Sequence, residues 1–279
     1  MRITALCENS SPSETLEAEH GLSIYIETKK HTVLFDTGQS AAFIRNAEKL
    51  GIDLLAIDYV VISHGHYDHL GGLIAFLELN KQAKVILKKE IFAYQYHSKR
   101  GDDIRNIGYP EELLDYQKRF IYLEDAFTKT DNLYFIGDIE QQHPLPKGNS
   151  LLYRSEEAGL EADKFEHELL FVIEESDELA VFSGCAHRGI LNMLESVKKH
   201  LPGKAIKLIY GGLHLTDDSE YATTETTEEI LAIASEIRQM AGASKVYTGH
   251  CTGKKAMRIL SESFGESMQA LYTGQTIEV

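Results

Sequence analysis

The chain has 279 residues, of which 43% are hydrophobic and 25% charged, and this composition is ordinary for a globular protein with a sizeable core. Its net charge of −15 opposes non-specific attraction to nucleic acid and disfavours a nuclease, and no apolar run reaches the roughly 18 residues needed to span a membrane. Because signal-peptide features and a disulfide framework are also absent, we expect a cytoplasmic protein that acts on a small molecule.

Short apolar strands alternate with helical patterns in the first part of the chain. Strands are predicted at residues 2–6, 22–27, 32–36, 58–63 and 84–88. Helices are predicted near residues 40–50 and 69–79, the second with one buried face that includes Leu70, Leu73 and Leu77. This alternation predicts an α/β fold.

Residues 90–165 interrupt this order and contain seven of the 14 tyrosines of the chain. A tyrosine has a stacking face and a polar tip, so these residues are suited either to a planar substrate ring or to the core of an inserted subdomain. We predict an inserted region on the substrate side and leave both roles open.

The last part of the chain repeats the alternation. Strands are predicted near residues 168–174, 179–183, 206–210 and 245–248, and helices near residues 189–200, 226–241 and 254–264. Thr226 and Glu229 are spaced as a capping box, and Gly242 is placed to end that helix. Two halves with a sheet and helices each predict one domain over residues 1–279, a four-layer αβ/βα sandwich.

The most informative segment is residues 63–72, with the sequence Ser-His-Gly-His-Tyr-Asp-His-Leu-Gly-Gly. His64 and His66 share one face of an extended chain, and Asp68 and His69 project from the first turn of a following helix. Burying such groups costs free energy unless something compensates them. Three imidazoles and a carboxylate suit a divalent ion, so the segment predicts a metal centre.

This segment resembles the His-x-His-x-Asp-His signature of the metallo-beta-lactamase superfamily. Residues 32–38 look like the superfamily's strand that ends in Asp-x-Gly, which implies that Asp36 supports the ligands from behind. Residues 180–184 resemble the strand that delivers a metal-bridging aspartate, and Cys185 stands in its place. The resemblance implies the metallo-beta-lactamase fold, with an inserted α+β subdomain at about residues 90–165.

Four further motifs resemble one branch of this superfamily. They lie at residues 19–23, 183–187, 211–215 and 249–253. Together they are similar to the dihydropteroate-synthase-like branch, which includes dihydropterin-ribofuranosylaminobenzene phosphate synthase and bacterial metal-dependent hydrolases. The resemblance therefore implies a metal-dependent hydrolase, or a transferase that joins a dihydropterin pyrophosphate to an arylamine riboside phosphate.

The ligands missing from the motif are predicted among histidines that follow strands. His187 and His250 come first, because each also precedes a glycine-containing helix start. With the four motif residues they would hold one or two divalent ions, with zinc preferred to iron or manganese. His167, His214 and His20 are alternative ligands or supporting groups.

Cys185 and two helix starts complete the predicted site. As a thiolate Cys185 would be a soft ligand that favours zinc, and as a neutral thiol it would be a small packed residue. Asp68 would act as a ligand or as the base that orients a water. Arg188 and Lys254 stand at helix N-termini, where free N–H groups could bind a phosphate of the substrate.

Three functions agree with these features. The first is a hydrolase of a small, phosphorylated or pterin-like metabolite that uses a metal-bound water. The second is the transferase described above. The third is a non-catalytic sensor of a metal or ligand that keeps the site without turnover.

Overall fold

A computed structural model describes all residues from 1 to 279. Eighteen strands and six α-helices make up the chain. The strands are β1 (Arg2–Cys7), β2 (Ser23–Glu27), β3 (Thr32–Phe35), β4 (Tyr59–Val61), β5 (Lys84–Leu87), β6 (Tyr96–Arg100), β7 (Asp103–Asn106), β8 (Phe120–Tyr122), β9 (Phe127–Thr130), β10 (Leu133–Ile136), β11 (Leu152–Glu156), β12 (Gly159–Ala162), β13 (Leu170–Glu175), β14 (Glu178–Ser183), β15 (Ala205–Gly211), β16 (Lys245–Thr248), β17 (Met268–Ala270) and β18 (Thr276–Glu278). The helices are α1 (Ala42–Leu50), α2 (Tyr67–Leu70), α3 (Leu73–Leu79), α4 (Ile190–His200), α5 (Thr227–Ala241) and α6 (Lys254–Phe264).

Two seven-stranded sheets form the body of the protein. The first has the spatial order β18-β1-β2-β3-β4-β5-β8, and the second has the order β17-β16-β15-β14-β13-β10-β9. In the first sheet β3, β4, β5 and β8 run parallel, and in the second β14, β15, β16 and β17 do. The carboxyl ends of neighbouring parallel strands meet at one edge of each sheet, where α/β proteins place their ligands.

Alternating side chains divide each sheet between two cores. In β3, Val33 and Phe35 pack in the core between the sheets, whereas Leu34 packs against the helices. In β13, Phe171 faces the core between the sheets and Val172 faces the opposite side. This period of two is what a strand buried on both faces requires.

Helices cover the outer face of each sheet. Phe43 of α1 and Phe76 of α3 belong to the core that covers the first sheet. Leu194 of α4, Ile237 of α5 and Ile259 of α6 belong to the core that covers the second sheet. The layers therefore follow the order helix, sheet, sheet, helix, and the predicted α/β four-layer sandwich is confirmed.

One predicted helix is divided in two. Residues 69–79 were expected to form a continuous helix, but α2 ends at Leu70 and α3 begins at Leu73. Gly71 and Gly72 lie against the loop that follows β3: a Cβ atom on Gly72 would stand 2.3 Å from the Thr37 carbonyl oxygen. The predicted buried face of Leu70, Leu73 and Leu77 is confirmed. The break between the two helices depends on a contact with a loop that is distant in the sequence.

The region from 90 to 165 is shared between all three sheets. Its ends form a four-stranded sheet in the order β12-β11-β6-β7. Its middle does not belong to that sheet, because β8 joins the first large sheet and β9 and β10 join the second. Tyr96 is fully buried, and its ring packs 4.2 Å from that of His167. This tyrosine thus serves packing, and a substrate-side role of the region stays a prediction.

The best-marked helix of the sequence has the predicted ends. The Thr226 side chain accepts a hydrogen bond from the N–H of Glu229, and the Glu229 side chain accepts one from the N–H of Thr226. Gly242 follows the last residue of α5 in a left-handed conformation, with φ of 60°. No helix in the structure is both long and apolar enough to cross a membrane.

Candidate metal centre

The predicted ligands gather at the carboxyl ends of strands from both large sheets. Asp36 follows β3 and the His64 motif follows β4, while Cys185, His214 and His250 follow β14, β15 and β16. Four residues that follow these strands have a left-handed backbone conformation, which residues other than glycine rarely adopt. They are Asp36, Ala186, His214 and His250. Such strained positions are typical of functional sites, because they turn side chains inward at a cost that only the surrounding structure can offset.

The first group of donors contains His64, His66 and His187. The Nε2 atom of His64 lies 3.1 Å from Nδ1 of His66. The ring of His187 lies 4.9 Å from that of His64 and 4.8 Å from that of His66, measured between centroids. All three are buried, and Nε2 of His187 has no hydrogen-bond partner.

The second group contains Asp68, His69, Cys185 and His250. The Nε2 atoms of His69 and His250 are 2.9 Å apart, and Sγ of Cys185 lies 3.2 Å from Nε2 of His69. Oδ2 of Asp68 lies 3.2 Å from Nε2 of His250. Cys185 also lies within ligand distance of the first group, since the donor atoms of His64, His187 and Cys185 are all within 4.8 Å of one another.

Hydrogen bonds on the far side of four rings determine which nitrogen carries the lone pair. Nδ1 of His69 donates to Oδ2 of Asp36 at 2.7 Å. Nδ1 of His64 lies 2.8 Å from the Ser63 hydroxyl, which itself donates to Asp36 and can therefore only accept from His64. Both Nδ1 atoms thus carry the proton, and the Nε2 lone pairs point into the site.

An asparagine holds each of the two remaining rings. Oδ1 of Asn149 accepts from Nδ1 of His187 at 3.0 Å, and the amide of the same asparagine donates to the His187 carbonyl. Asn9 makes the same two bonds to His250, with its Oδ1 at 3.1 Å from Nδ1. Four Nε2 atoms therefore converge, those of His64, His69, His187 and His250.

This convergence fits a divalent cation. The Nε2 atoms of His69 and His250 face each other at 2.9 Å, so a positive charge must lie near them, either a proton on His250 or a metal ion. Ligands about 2.1 Å from a tetrahedral zinc are roughly 3.4 Å apart, so these two nitrogens would separate by about 0.5 Å around the ion. Nitrogen, carboxylate and thiol donors together match the preferences of zinc. The residues present can hold a metal, and they would do so with His64, His66 and His187 on one side and Asp68, His69 and His250 on the other.

Burial sets the charge of the imidazoles. It holds the pKa of His64 and of His187 well below the usual range and lowers the pKa of His66 to about 3. For His250, burial alone would lower the pKa, but the hydrogen bond to Asp68 raises it to about 9. The first three rings are therefore neutral, which is the form that binds metals. On His250 a proton and a metal ion would compete for Nε2.

Asp68 is the negative charge of the site. Burial alone would raise its pKa, but three neighbouring imidazoles hold it well below the usual range. These are His69, His20 and His250. Asp68 is therefore ionised at neutral pH, can accept hydrogen bonds or bind a metal ion, and does not act as an acid.

Buried carboxylates fix the loops that carry the ligands. Asp36 accepts from the backbone N–H and the hydroxyl of Ser63, both at 2.7 Å. Glu8 accepts from the N–H of His250 at 2.6 Å, and Glu168 accepts from the N–H of His187 at 2.8 Å. Burial raises the pKa of Glu168 to about 8. His187 and His250 are thus each held by one asparagine and one glutamate.

Sequence reasoning missed these four supporting residues. Asn9, Asn149, Glu8 and Glu168 were not predicted as members of the site. Glu8 directly follows a strand whose last five residues are all buried, and this placement was the only local signal for a buried carboxylate. For the asparagines the sequence holds no such signal.

The alternative histidines lie around the centre in different ways. His167 has both ring nitrogens in use: Nδ1 accepts from the N–H of Gly65 at 3.0 Å, and Nε2 donates to Asp163 at 3.0 Å. His167 therefore holds the loop that carries His64 and His66 through its hydrogen bond to Gly65. His20 lies at the solvent side, half-exposed, with its ring stacked on that of His250 and Nε2 at 3.2 Å from Asp68. His214 is buried beside His187, with ring centroids 4.2 Å apart.

The two predicted phosphate-binding helix starts differ. The N–H groups of Lys254 and Lys255 already donate to the carboxylate of Asp217, both at 2.9 Å. The expected anion pocket at Lys254 is therefore filled by a side chain of the protein, and this prediction was wrong. Arg188 directly follows His187 and lines a cleft of about 550 Å³ together with Lys88 and Tyr94. Its guanidinium donates to the backbone carbonyls of Lys164 and Ile139.

Comparisons with known proteins agree with this geometry. A family model described as the metallo-beta-lactamase superfamily matches residues 16–190. The 7,8-dihydropterin-6-methyl-4-(beta-D-ribofuranosyl)-aminobenzene-5'-phosphate synthase of Methanocaldococcus jannaschii is 29% identical over 276 residues, which cover 94% of this chain and 90% of that protein. A crystal structure of a metal-dependent hydrolase of the beta-lactamase superfamily is 32% identical and superimposes with a TM-score of 0.82, covering 100% of this chain and 99% of the other.

Proposed function

The chain belongs to the metallo-beta-lactamase superfamily, and from this premise we propose that it is a metal-dependent hydrolase of a small, phosphorylated or pterin-like metabolite. The observation that carries the proposal is the convergence of four imidazole Nε2 atoms beside an ionised Asp68. Superfamily membership supports a divalent ion as the species that these nitrogen and carboxylate donors bind. The donor set favours zinc over iron or manganese.

A bound divalent ion would polarise the scissile bond and lower the pKa of a water at the site to about 7. Asp68 accepts a hydrogen bond from the attacking water and orients it, because Asp68 is ionised and its Oδ2 atom faces the open side of the centre. His20 contacts the same oxygen from the solvent side, 3.2 Å away.

Arg188 is the residue that we propose for the anionic part of the substrate. It follows His187 directly, and it lines a cleft together with Lys88 and Phe165, whose ring stacks on that of His187. A guanidinium suits the bidentate recognition of a phosphate.

A transferase is the second candidate, and a specific observation favours it. The relative from Methanocaldococcus jannaschii that matches 94% of this chain is named as a synthase. In this reaction Asp68 would accept a hydrogen bond from an incoming arylamine and orient it, the amine proton would go to solvent, and Arg188 would bind the departing pyrophosphate. Both candidates need the same metal centre and differ in the nucleophile that reaches it.

The test is a substrate panel on zinc-loaded protein. The panel contains phosphoesters, lactones, thioesters and a pterin pyrophosphate paired with an arylamine riboside phosphate. We expect turnover of at least one member, and a His187→Asn variant should lose more than about 100-fold of it, since one metal ligand is gone. His143→Gln is the matched control, because His143 lies outside the site and contacts Glu195.

Product analysis separates the candidates. Addition of one water across the broken bond supports the hydrolase, and a new carbon–nitrogen bond supports the transferase. Tight zinc binding without turnover of any member would contradict both and would leave the sensor as the function.

A further inference from the structure

Three neighbouring parallel strands end in residues with soft or borderline metal donors. β14, β15 and β16 are adjacent, and the loops after them carry Cys185, His214 and Cys251. The two sulfur atoms and a ring nitrogen of His214 all lie within 4.8 Å of one another. Since the ends of parallel strands meet at one edge, the sheet itself brings these donors together.

His214 has no hydrogen-bond partner for its ring. It is 8% exposed, and neither Nδ1 nor Nε2 is bonded. No other buried histidine of the chain has both ring nitrogens in this state. Buried polar groups are nearly always paired, so a ring with two free nitrogens indicates a partner that is neither side chain nor backbone.

The backbone commits His214 to this direction. Its φ of 49° lies in the left-handed region, which is costly for a residue with a side chain. The N–H of His214 donates to Sγ of Cys251 at 3.3 Å, so the same residue that presents the ring also positions the thiol. Gly212 leaves the space for it: a Cβ atom there would lie 2.5 Å from that sulfur.

We propose that Cys185, His214 and Cys251 form a further site for a thiophilic divalent ion such as zinc. Two sulfurs and one imidazole are a donor set that zinc prefers. The site lies beside the histidine-rich centre and shares Cys185 with it, because Sγ of Cys185 is 3.2 Å from Nε2 of His69. Each thiol releases its proton to solvent when the ion binds, and no electron transfer is involved.

Zinc bonds of about 2.3 Å to sulfur and about 2.1 Å to nitrogen place ligand atoms roughly 3.7 Å apart around a tetrahedral ion. The three donors are close enough to reach these distances by small side-chain rotations. Cys251 is only half-buried, so the fourth position of the ion can be filled from solvent. This site goes beyond the proposed hydrolysis and does not depend on the identity of the substrate.

Thiol alkylation of the full-length protein tests the site. The protein is treated with iodoacetamide either after chelation or after loading with zinc, and the modified peptides are measured by mass spectrometry. We expect Cys251 to react at least tenfold more slowly with zinc. Cys7 is the internal control, because it is buried next to Glu19 and away from the site. Equal reactivity of Cys251 in both states, or a disulfide between Cys185 and Cys251, would overturn the proposal.

Metal stoichiometry gives a second and independent measurement. Cobalt-loaded Cys251→Ser and His214→Asn should each bind one ion fewer than the unchanged protein, and Cys251→Ser should lose part of the thiolate-to-cobalt charge-transfer absorption. Cys7→Ser should match the unchanged protein in both respects. If the variants bind as many ions as the unchanged protein, with unaltered absorption, the three residues do not hold an ion.

His214→Asn also separates this site from the histidine-rich centre. Zinc should no longer protect Cys251 from alkylation in this variant, although ions at the neighbouring centre remain bound. Protection that persists in His214→Asn would come from the neighbouring centre alone and would contradict the proposal. A loss of turnover with unchanged stoichiometry would bear on the proposed function and not on this site.

Discussion

The two sheets contribute to the metal centre in different ways. The first sheet supplies His64, His66, Asp68 and His69 from one continuous segment after β4. The second sheet supplies its donors from separate loops after β14, β15 and β16, spread over residues 185–251. A continuous segment needs one turn of correct geometry, whereas separate loops need support from distant parts of the chain. The Asn9–His250 pair, 241 residues apart, is such a support.

The largest expected effect on zinc affinity tests whether both sheets supply ligands to the metal centre. His64→Asn and His187→Asn should each weaken zinc affinity by more than about 100-fold, because each removes an imidazole with a lone pair in the site. His167→Asn should change the affinity by less than about tenfold, since its nitrogens serve hydrogen bonds to Gly65 and Asp163 and not the ion.

Competition with a chromophoric chelator measures all three affinities. The comparison between the sheets would fail if His187→Asn kept its zinc while His167→Asn lost it. In that case His167 would be the ligand, and the loop after β14 would have only a structural role.

An intermediate effect tests the supports of the second sheet. Asn149→Ala and Asn9→Ala should each weaken zinc affinity by about 10–100-fold, because a ligand that loses its hydrogen-bonded partner loses its orientation. Asn132→Ala is the matched control, since Asn132 bonds to the Glu174 carbonyl and does not contact the centre. Unchanged affinity in both site variants, measured by the same competition, would show that the asparagines are dispensable.

The smallest effect concerns the substrate side. Arg188→Ala should raise KM for a phosphorylated substrate by about tenfold, as expected for the loss of one charged hydrogen bond. Lys254→Ala should leave KM unchanged, because Asp217 already occupies the helix start beside it. Steady-state kinetics with metal content measured in parallel decides this. A larger effect at Lys254 than at Arg188 would reverse the assignment.

Much of the fold could be predicted because its signals are local. The alternation of apolar residues places nine of the eighteen strands and most helices within one or two residues of the observed ends, and the capping box at Thr226 marks the start of α5. The break between α2 and α3 could not be predicted in this way. It results from the contact of Gly71 and Gly72 with the loop after β3, which only the tertiary structure creates.

In the metal centre, too, the residues with a local sequence signal were predictable and those without one were not. The spacing of His64, His66 and Asp68 predicts ligands that the structure brings together, and the strand-to-helix context of His187 and His250 places these two in the same centre. The supports were not predictable, because an asparagine in a loop has no periodic pattern that marks it. The error at Lys254 has the same origin: Asp217, which fills that helix start, lies 37 residues away in the chain.

The most direct test of the metal centre is an anomalous difference map from crystals of the zinc-loaded protein, recorded at the zinc absorption edge. The structure predicts one peak between His64, His66 and His187, and it predicts a second peak bordered by Asp68, His69 and His250. A map without peaks at these imidazoles, or with His187 turned away from the ion, would contradict a centre assembled from both sheets.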